Sequence, residues 1–462
     1  MTDVVIAALP YVGTSEPLMA PALLKGVVKK TGLTCSTFDF NAETIKFLND
    51  HYADIKPRVI RWFDYEEYND CVEVQEVIVE IVKYITSRIM TENPKWICLS
   101  LFCHTAKKLN VQLCKFIKKN YDVKIVIGGN AVFTDPKSPR PYGKILKKAK
   151  LIDHYIVGDG EEPLYNLLTG SSDGVNSETF QALDDLSKQP FSDYDDYNWA
   201  LYETKRLPMY ASRGCVRRCT FCDVYKLWKK FKLRYAEDVF KEMLYQIDKT
   251  GITNFYFRDS LVNGSITEYR KLCKLVGDYN KTAEKKIQWT GFFIFRPQEQ
   301  MPEEDWKLTA ESGATLLRIG IETFIDSTRY HMRKKFNNKD ILFGLQMAKK
   351  YQVGLEFLMI IGYVNETEKD FQESLQWLDN HKEYAGFPLM NLSIGGTLTV
   401  TDLTDLYQQA EDYNVTIGNK IHLWENKAIN LDYETRERRK IIFLQKAKEL
   451  GYQVNVDEKP GM

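Results

Sequence analysis

Charge of one dominant sign is missing from this chain. Its 462 residues carry 63 Lys and Arg against 63 Asp and Glu, so no global field draws it to nucleic acid or to an anionic membrane. Long apolar runs are missing too: the longest, near 355–364, is far below the ~20 residues that cross a bilayer, and no membrane association is expected. The N-terminal segment carries Asp3 and no basic stretch, which argues against a signal peptide. Cysteine is thin, at 9 residues. Cys35, Cys71, Cys98, Cys103, Cys114 and Cys273 lie scattered on apolar segments, where free Cys behaves as a small hydrophobe. No disulfide framework follows, and a reduced, cytoplasmic setting is expected. Internal repeats and low-complexity tracts are absent as well.

What is present is concentrated in eight residues. Cys215-Val-Arg-Arg-Cys219-Thr-Phe-Cys222 follows an apolar run from Leu207 that reads as a strand entering a loop. A Cys-x3-Cys-x2-Cys loop offers three thiolates and no fourth ligand nearby; the closest histidines in sequence are His154 and His331. A structural zinc site wants four protein ligands, and a ferredoxin-type cluster wants a fourth cysteine at its own spacing. Three cysteines on a cubane leave one iron with an open position for substrate or cofactor. With Ser212-Arg213-Gly214 before the first cysteine and Phe221 before the last, the segment resembles the radical S-adenosylmethionine (SAM) enzymes, and the resemblance implies Cys215, Cys219 and Cys222 as ligands of a [4Fe-4S] cluster.

Two α/β regions frame that loop. From residue 1 to about 170, buried apolar strands (Val4 to Leu9, Leu33 to Phe38, Trp96 to Leu101, Val123 to Ile127, Tyr155 to Val157) alternate with helical periodicities such as Leu18 to Lys30 and Val72 to Met90. That alternation predicts a doubly wound, Rossmann-like parallel sheet with ligands at the carboxyl ends of its strands. Residues 171–205 are polar and turn-rich and read as a surface linker. From 206 to 400 the alternation restarts through six strands, at Met209, Phe255, Ile287, Leu316, Leu355 and Leu392. Residues 401–462 read as a helical extension, with Trp424 and Arg436 to Arg439 read as parts of a substrate lid near the barrel mouth or as a capping helix with a solvated charge face. The basic run Lys226 to Lys232, interleaved with Leu227, Trp228 and Phe231, reads as a solvated face, with contact to an anionic substrate or nucleic acid as the other reading.

The first region resembles the cobalamin-binding domain found ahead of the radical SAM core in one subgroup of these enzymes. The resemblance rests on Pro10-Tyr-Val-Gly13, Pro17 to Gly26, Phe38-Asp39, Ile127-Gly-Gly-Asn130 and Val157-Gly-Asp-Gly-Glu-Glu162. It implies Pro10, Gly13, Gly128, Gly129 and Gly158 as cofactor contacts; the two glycine turns equally suit plain left-handed turns. No Asp-x-His-x-x-Gly follows the first strand, so cobalt bound without a protein histidine, or a domain that has lost the cofactor, both stay open. For the second region the family's fold is a partial (β/α)6 barrel. The resemblance implies Asp259 and Ser260 at the SAM ammonium, Arg296 at its carboxylate, Glu322 at the ribose or polar residues near it, and Gly362 beneath the adenine, with Glu366-Thr367 capping the next helix. Asp259 also reads as a helix cap, and Arg296 as a surface ion-pair partner.

The resemblance implies an enzyme that cleaves SAM to a 5′-deoxyadenosyl radical, with a [4Fe-4S] cluster and SAM as cofactors and cobalamin in the first domain. Its reaction is expected to be methylation of an unactivated carbon; rearrangement, cyclisation or oxidation is the alternative, and a non-catalytic iron-sulfur redox or sensing protein is the alternative from another class. The expected partners are a small-molecule or peptide substrate and an external electron donor such as flavodoxin or ferredoxin, without nucleic acid. No single residue stands out as catalytic.

Overall fold

The computed structural model describes residues 2–10, 13–64, 68–133, 142–386 and 389–456. Tyr11 and Val12 of the expected cofactor loop lie outside them. The chain divides into two compact units, 1–209 with 246–252, and 210–245 with 253–462. No helix among the described residues is long and apolar enough to cross a membrane.

In the first unit, β1 (Val4–Ala8), β2 (Cys35–Asp39), β3 (Trp96–Ser100), β4 (Lys124–Gly128) and β5 (His154–Tyr155) form a parallel sheet in the order β2-β1-β3-β4-β5. Side chains alternate across a strand, so Val5 and Ala7 feed one core with Ile78 and Leu113, while Val4 and Ile6 feed another with Val28 and Leu164. Both faces are therefore covered by helices, which is why β1 is apolar at every position. Ala8 pairs with Asp39 on one side and with Ser100 on the other. The chain leaves β1 in opposite directions at this switch point, and the loops there open the crevice that such sheets offer to ligands.

Residues 171–205 are not a free linker. Lys25, 4% exposed, reaches Asp193 at 3.2 Å and Asp196 at 2.8 Å. Tyr197 donates to Leu18 O and Tyr202 to Asp39 Oδ2, each at 2.9 Å. Tyr194, Tyr197, Trp199 and Tyr202 pack against one another edge-on or tilted. Polar composition suggested solvent, but the carboxylates are consumed by a buried lysine and the aromatic rings pack. The expected strand at Met209 is the three-residue β6 (Leu207–Met209), at the end of this unit.

The second unit opens with the antiparallel pair β7 (Ser212–Arg213) and β8 (Lys232–Leu233). Its parallel strands β9 (Asn254–Phe257), β10 (Gln288–Phe293), β11 (Ala314–Glu322), β12 (Gly354–Met359) and β13 (Met390–Ile394) pair in sequence order with helices between them. After the small hairpin β14 (Thr416–Ile417) and β15 (Trp424–Glu425), the helix Tyr433–Glu449 returns the chain, and β16 (Gln453–Val456) adds to β13. The extension read as helical thus supplies a strand. The extension's other α-helix among the described residues is the short Asp405–Gln408.

Candidate functional site

The β7–β8 pair pins the two ends of the loop 214–231, with Arg213 opposite Lys232. At Gly214, φ is +79°, and a Cβ would stand 2.8 Å from Lys230 O and 3.2 Å from Trp228 Cβ, so both conformation and space require glycine ahead of Cys215. Inside the loop, Arg217 N donates to Cys215 Sγ at 3.4 Å and Cys222 N to Cys219 O at 3.1 Å. From outside, Thr220 N donates to Met332 O, Leu406 N donates to Thr220 O, and the Thr220 hydroxyl is hydrogen-bonded to Tyr363 Oη. Asp405 then accepts from Tyr225 Oη at 2.6 Å and pairs with Lys226 and Arg333.

All three loop thiols are unpaired, with Cys219 buried and Cys215 and Cys222 half-buried. Burial raises each, Cys222 to about 12, and Cys219 further raises Cys215 and Cys222. Lys334 beside Cys219, and Arg217 beside Cys215 and Cys219, act in the opposite direction. Three part-buried sulfurs with two cations and no fourth thiol beside them suit a group that binds thiolates at three separate irons. Among the described residues no three His, Cys, Asp or Glu side chains converge on a single ion, and a cubane needs no such convergence.

The strand ends place the other expected residues. Asp259, 1% exposed, accepts from Ala211 N at 3.0 Å and from Ser212 Oγ at 2.5 Å. It locks the β9 end to the entry of the cysteine loop, and burial lifts its carboxyl to about 6. Ser260 beside it is exposed. Arg296 donates to Asn263 O and Gly264 O at 2.7 and 2.8 Å, splinting the turn that follows β9, while its buried Nε has no partner among the described residues. Glu322 has φ +64° at the bulge that ends β11. Its Oε1 meets Lys334 Nζ at 2.8 Å, and Lys334 also donates to Gly320 O at 2.7 Å.

Two expectations change at β12. Gly362 has φ +77°, but a Cβ there would stand 2.5 Å from Arg436 Cγ, so the close approach over Gly362 is made by Arg436. Thr367 caps its helix in a capping box with Asp370. Glu366 instead accepts from Gly362 N at 3.1 Å and from Arg439 at 3.2 Å. Arg436 and Arg439 are 1% and 2% exposed, with Arg436 stacked 3.6 Å from the Trp424 ring centroid. They tie the last helix to the barrel and are unavailable as a lid: guanidinium groups with this many carbonyl and carboxylate acceptors pack inward.

In the first unit, Pro10 is buried at the carboxyl end of β1. Gly13, whose carbonyl accepts from Asn41, has open space where a Cβ would stand, and Gly128 has only ordinary contact. Gly129 (φ +101°) and Gly158 (φ +98°) press instead on their own chain, at Leu101 O and Gln181 O. Phe102, following β3 at the switch point, is 54% exposed. Open space at Gly13 and ordinary contact at Gly128 leave both positions able to approach a ligand. His154 lies on β5, against Trp96 at the amino end of β3, away from those loops.

Residues 209–378 match the family model described as the Radical SAM superfamily. The chain carries a radical SAM domain. That domain implies a [4Fe-4S] cluster and SAM, and the cysteine loop lies within it. Among curated relatives, 182 residues are 28% identical to a cytidylyl-2-hydroxyethylphosphonate methyltransferase of Streptomyces wedmorensis, covering 36% of this chain and 32% of the relative. In a separate alignment over 373 residues it is 22% identical to an anaerobic magnesium-protoporphyrin IX monomethyl ester cyclase of Rubrivivax gelatinosus, covering 70% of this chain and 65% of the relative. The chain thus spans 32% of the first relative's length and 65% of the second's. In fold it is similar to the radical SAM methyltransferase TsrM of Kitasatospora setae, solved with cobalamin and a [4Fe-4S] cluster bound, with a TM-score of 0.66, 14% identity, and 100% of this chain and 92% of that chain covered.

Several residues that shape the radical SAM domain's cysteine loop left no local signal in the sequence. Thr220 meets Tyr363 across 143 positions and Tyr225 meets Asp405 across 180. Arg217 was legible only as part of the loop, yet it is half-buried without a carboxylate partner among the described residues.

Proposed function

We propose that this chain is a cobalamin-dependent radical SAM enzyme that transfers a methyl group to an unactivated carbon. The observation that carries the reading is the three-thiol loop, part-buried and held from both ends by β7 and β8 in a radical SAM domain. When bound, the [4Fe-4S] cluster supplies the electron that cleaves SAM, and cobalamin supplies a methyl carrier. Cys215, Cys219 and Cys222 hold the cluster. Arg217 and Arg296 are the cations available to the SAM carboxylate, while the Lys334–Glu322 pair fixes the polar wall at the end of β11. Asp259 acts by positioning Ala211 and Ser212, which aim the loop. Pro10, Gly13 and Gly128, with Phe102, are the first unit's candidates for the corrin.

The fold likeness to TsrM favours methyl transfer. The alignment with a cyclase over 70% of the chain favours a second reading, radical cyclisation or oxidation without net methyl transfer. An external one-electron donor serves either. The deciding experiment is anaerobic reconstitution with iron, sulfide and cobalamin, followed by product analysis with candidate substrates. Methyl transfer expects 5′-deoxyadenosine and S-adenosylhomocysteine together; deoxyadenosine alone, with a product of unchanged carbon count, supports the second reading.

A further inference from the structure

The run Lys226 to Lys232 has no part in the chemistry above. Between Gly214 and Lys232 the loop carries Arg217, Arg218, Lys226, Lys229, Lys230 and Lys232 against a single acid, Asp223. The imbalance is local, since the whole chain is neutral, and cations elsewhere are commonly matched, as in Lys274 with Asp278 and Lys350 with Glu303. Lys226 is spent on Asp405. Arg218, Lys229 and Lys230 are exposed and have no ion-pair partner among the described residues.

Position gives this patch its meaning. Lys230 O and Trp228 Cβ pack directly on Gly214, the residue before the first cluster ligand, so the exposed Lys229–Lys230 turn stands one residue layer from Cys215. We infer that Arg218, Lys229 and Lys230 form the docking face for a small acidic one-electron carrier protein, which reduces the cluster through this side of the loop. The inference rests on the radical SAM reading above. The carrier loses one electron and the cluster gains it, with no other co-reactant. Unpaired lysines steer an acidic partner and set its orientation, and a patch beside the acceptor shortens the transfer path. Nucleic acid or an anionic substrate would also be drawn to cations, but neither explains why the patch abuts Gly214.

The test compares two reductants for the reconstituted full-length protein, with 5′-deoxyadenosine as readout. Dithionite-reduced methyl viologen, a small cation, needs no docking face; reduced flavodoxin does. Lys229→Glu/Lys230→Glu is expected to keep the viologen-driven rate within about twofold while raising the KM for flavodoxin about tenfold. The wild-type flavodoxin KM is expected to climb with ionic strength while the viologen rate stays flat; this second measurement decides the matter if the double variant folds poorly. Equal flavodoxin KM in wild type and variant, or a flavodoxin KM indifferent to salt, overturns the docking face. So does a variant whose KM for SAM or substrate rises while its flavodoxin KM is unchanged. Failure of wild type to cleave SAM with viologen instead removes the radical SAM reading on which the inference stands.

Discussion

Lys334 Nζ lies 2.8 Å from Glu322 Oε1, with side chains 10% and 11% exposed, directly behind the cysteine loop. The lysine stays charged because the carboxylate and Gly320 O replace its water, and its charge in turn reaches Cys219. Removing one partner of such a buried pair strands the other, at a cost of about 3 kcal/mol or more. Lys334→Met is expected to lower the denaturation midpoint of the unreconstituted protein and to reduce iron retention after reconstitution. A double change, Lys334→Met/Glu322→Gln, should recover most of the lost stability. An unchanged midpoint in the single variant would show that the pair is not buried as described.

The cysteines give the sharpest contrast. Cys215→Ala, Cys219→Ala and Cys222→Ala are each expected to abolish the reduced-cluster electron paramagnetic signal and SAM cleavage. Cys98→Ala and Cys273→Ala, which empty buried positions remote from the loop, are expected to cost only stability, on the order of 1 kcal/mol. Full cleavage by any variant of the triplet would remove the cluster assignment.

Asp259 should make folding stability fall as pH rises. Burial raises its carboxyl from 3.8 to about 6, so between those values the folded state holds a proton that the unfolded state releases, and the linkage slope is negative. The contribution present near pH 4 is expected to be lost by pH 6, on the order of 2–3 kcal/mol. Asp259→Asn should flatten this window in urea melts at pH 4 to 7, and Asp259→Ala should destabilise at every pH by leaving Ala211 N and Ser212 Oγ unanswered. A window that persists in the Asn variant would assign the titration elsewhere.

If the first unit takes up cobalamin, His154→Ala should leave the visible spectrum of the bound cobalt unchanged, because His154 packs on Trp96 at the amino end of the sheet. Gly128→Val, by contrast, is expected to fill space at the carboxyl end and lower the cobalamin bound per chain several-fold. Equal cobalamin in both variants would place the corrin away from the Gly128 turn.

Arg439→Ala is expected to destabilise the second unit by about 3 kcal/mol, by orphaning buried Glu366. A guanidinium acting as a mobile lid would instead leave the melting temperature intact and change only substrate turnover.

The sequence by itself determined what local pattern can carry. Continuous apolar runs such as Val4 to Leu9 read as strands because a sheet covered on both faces needs no polar side. Helices such as Val72–Met90 followed from their periodicity, and the cysteine triplet followed from ligand spacing within one loop. Each is settled by neighbours a few residues apart. The tertiary structure decided whatever depends on partners far along the chain: that Asp259 holds the loop entry, that Arg436 and Arg439 pack inward, and that 171–205 is fastened by Lys25. It also decided that the last strand pairs with β13, since a four-residue segment with one buried neighbour has too little pattern of its own. A side chain's role at a strand end depends on which acceptors surround it, and the alternation of strands and helices leaves those acceptors unspecified.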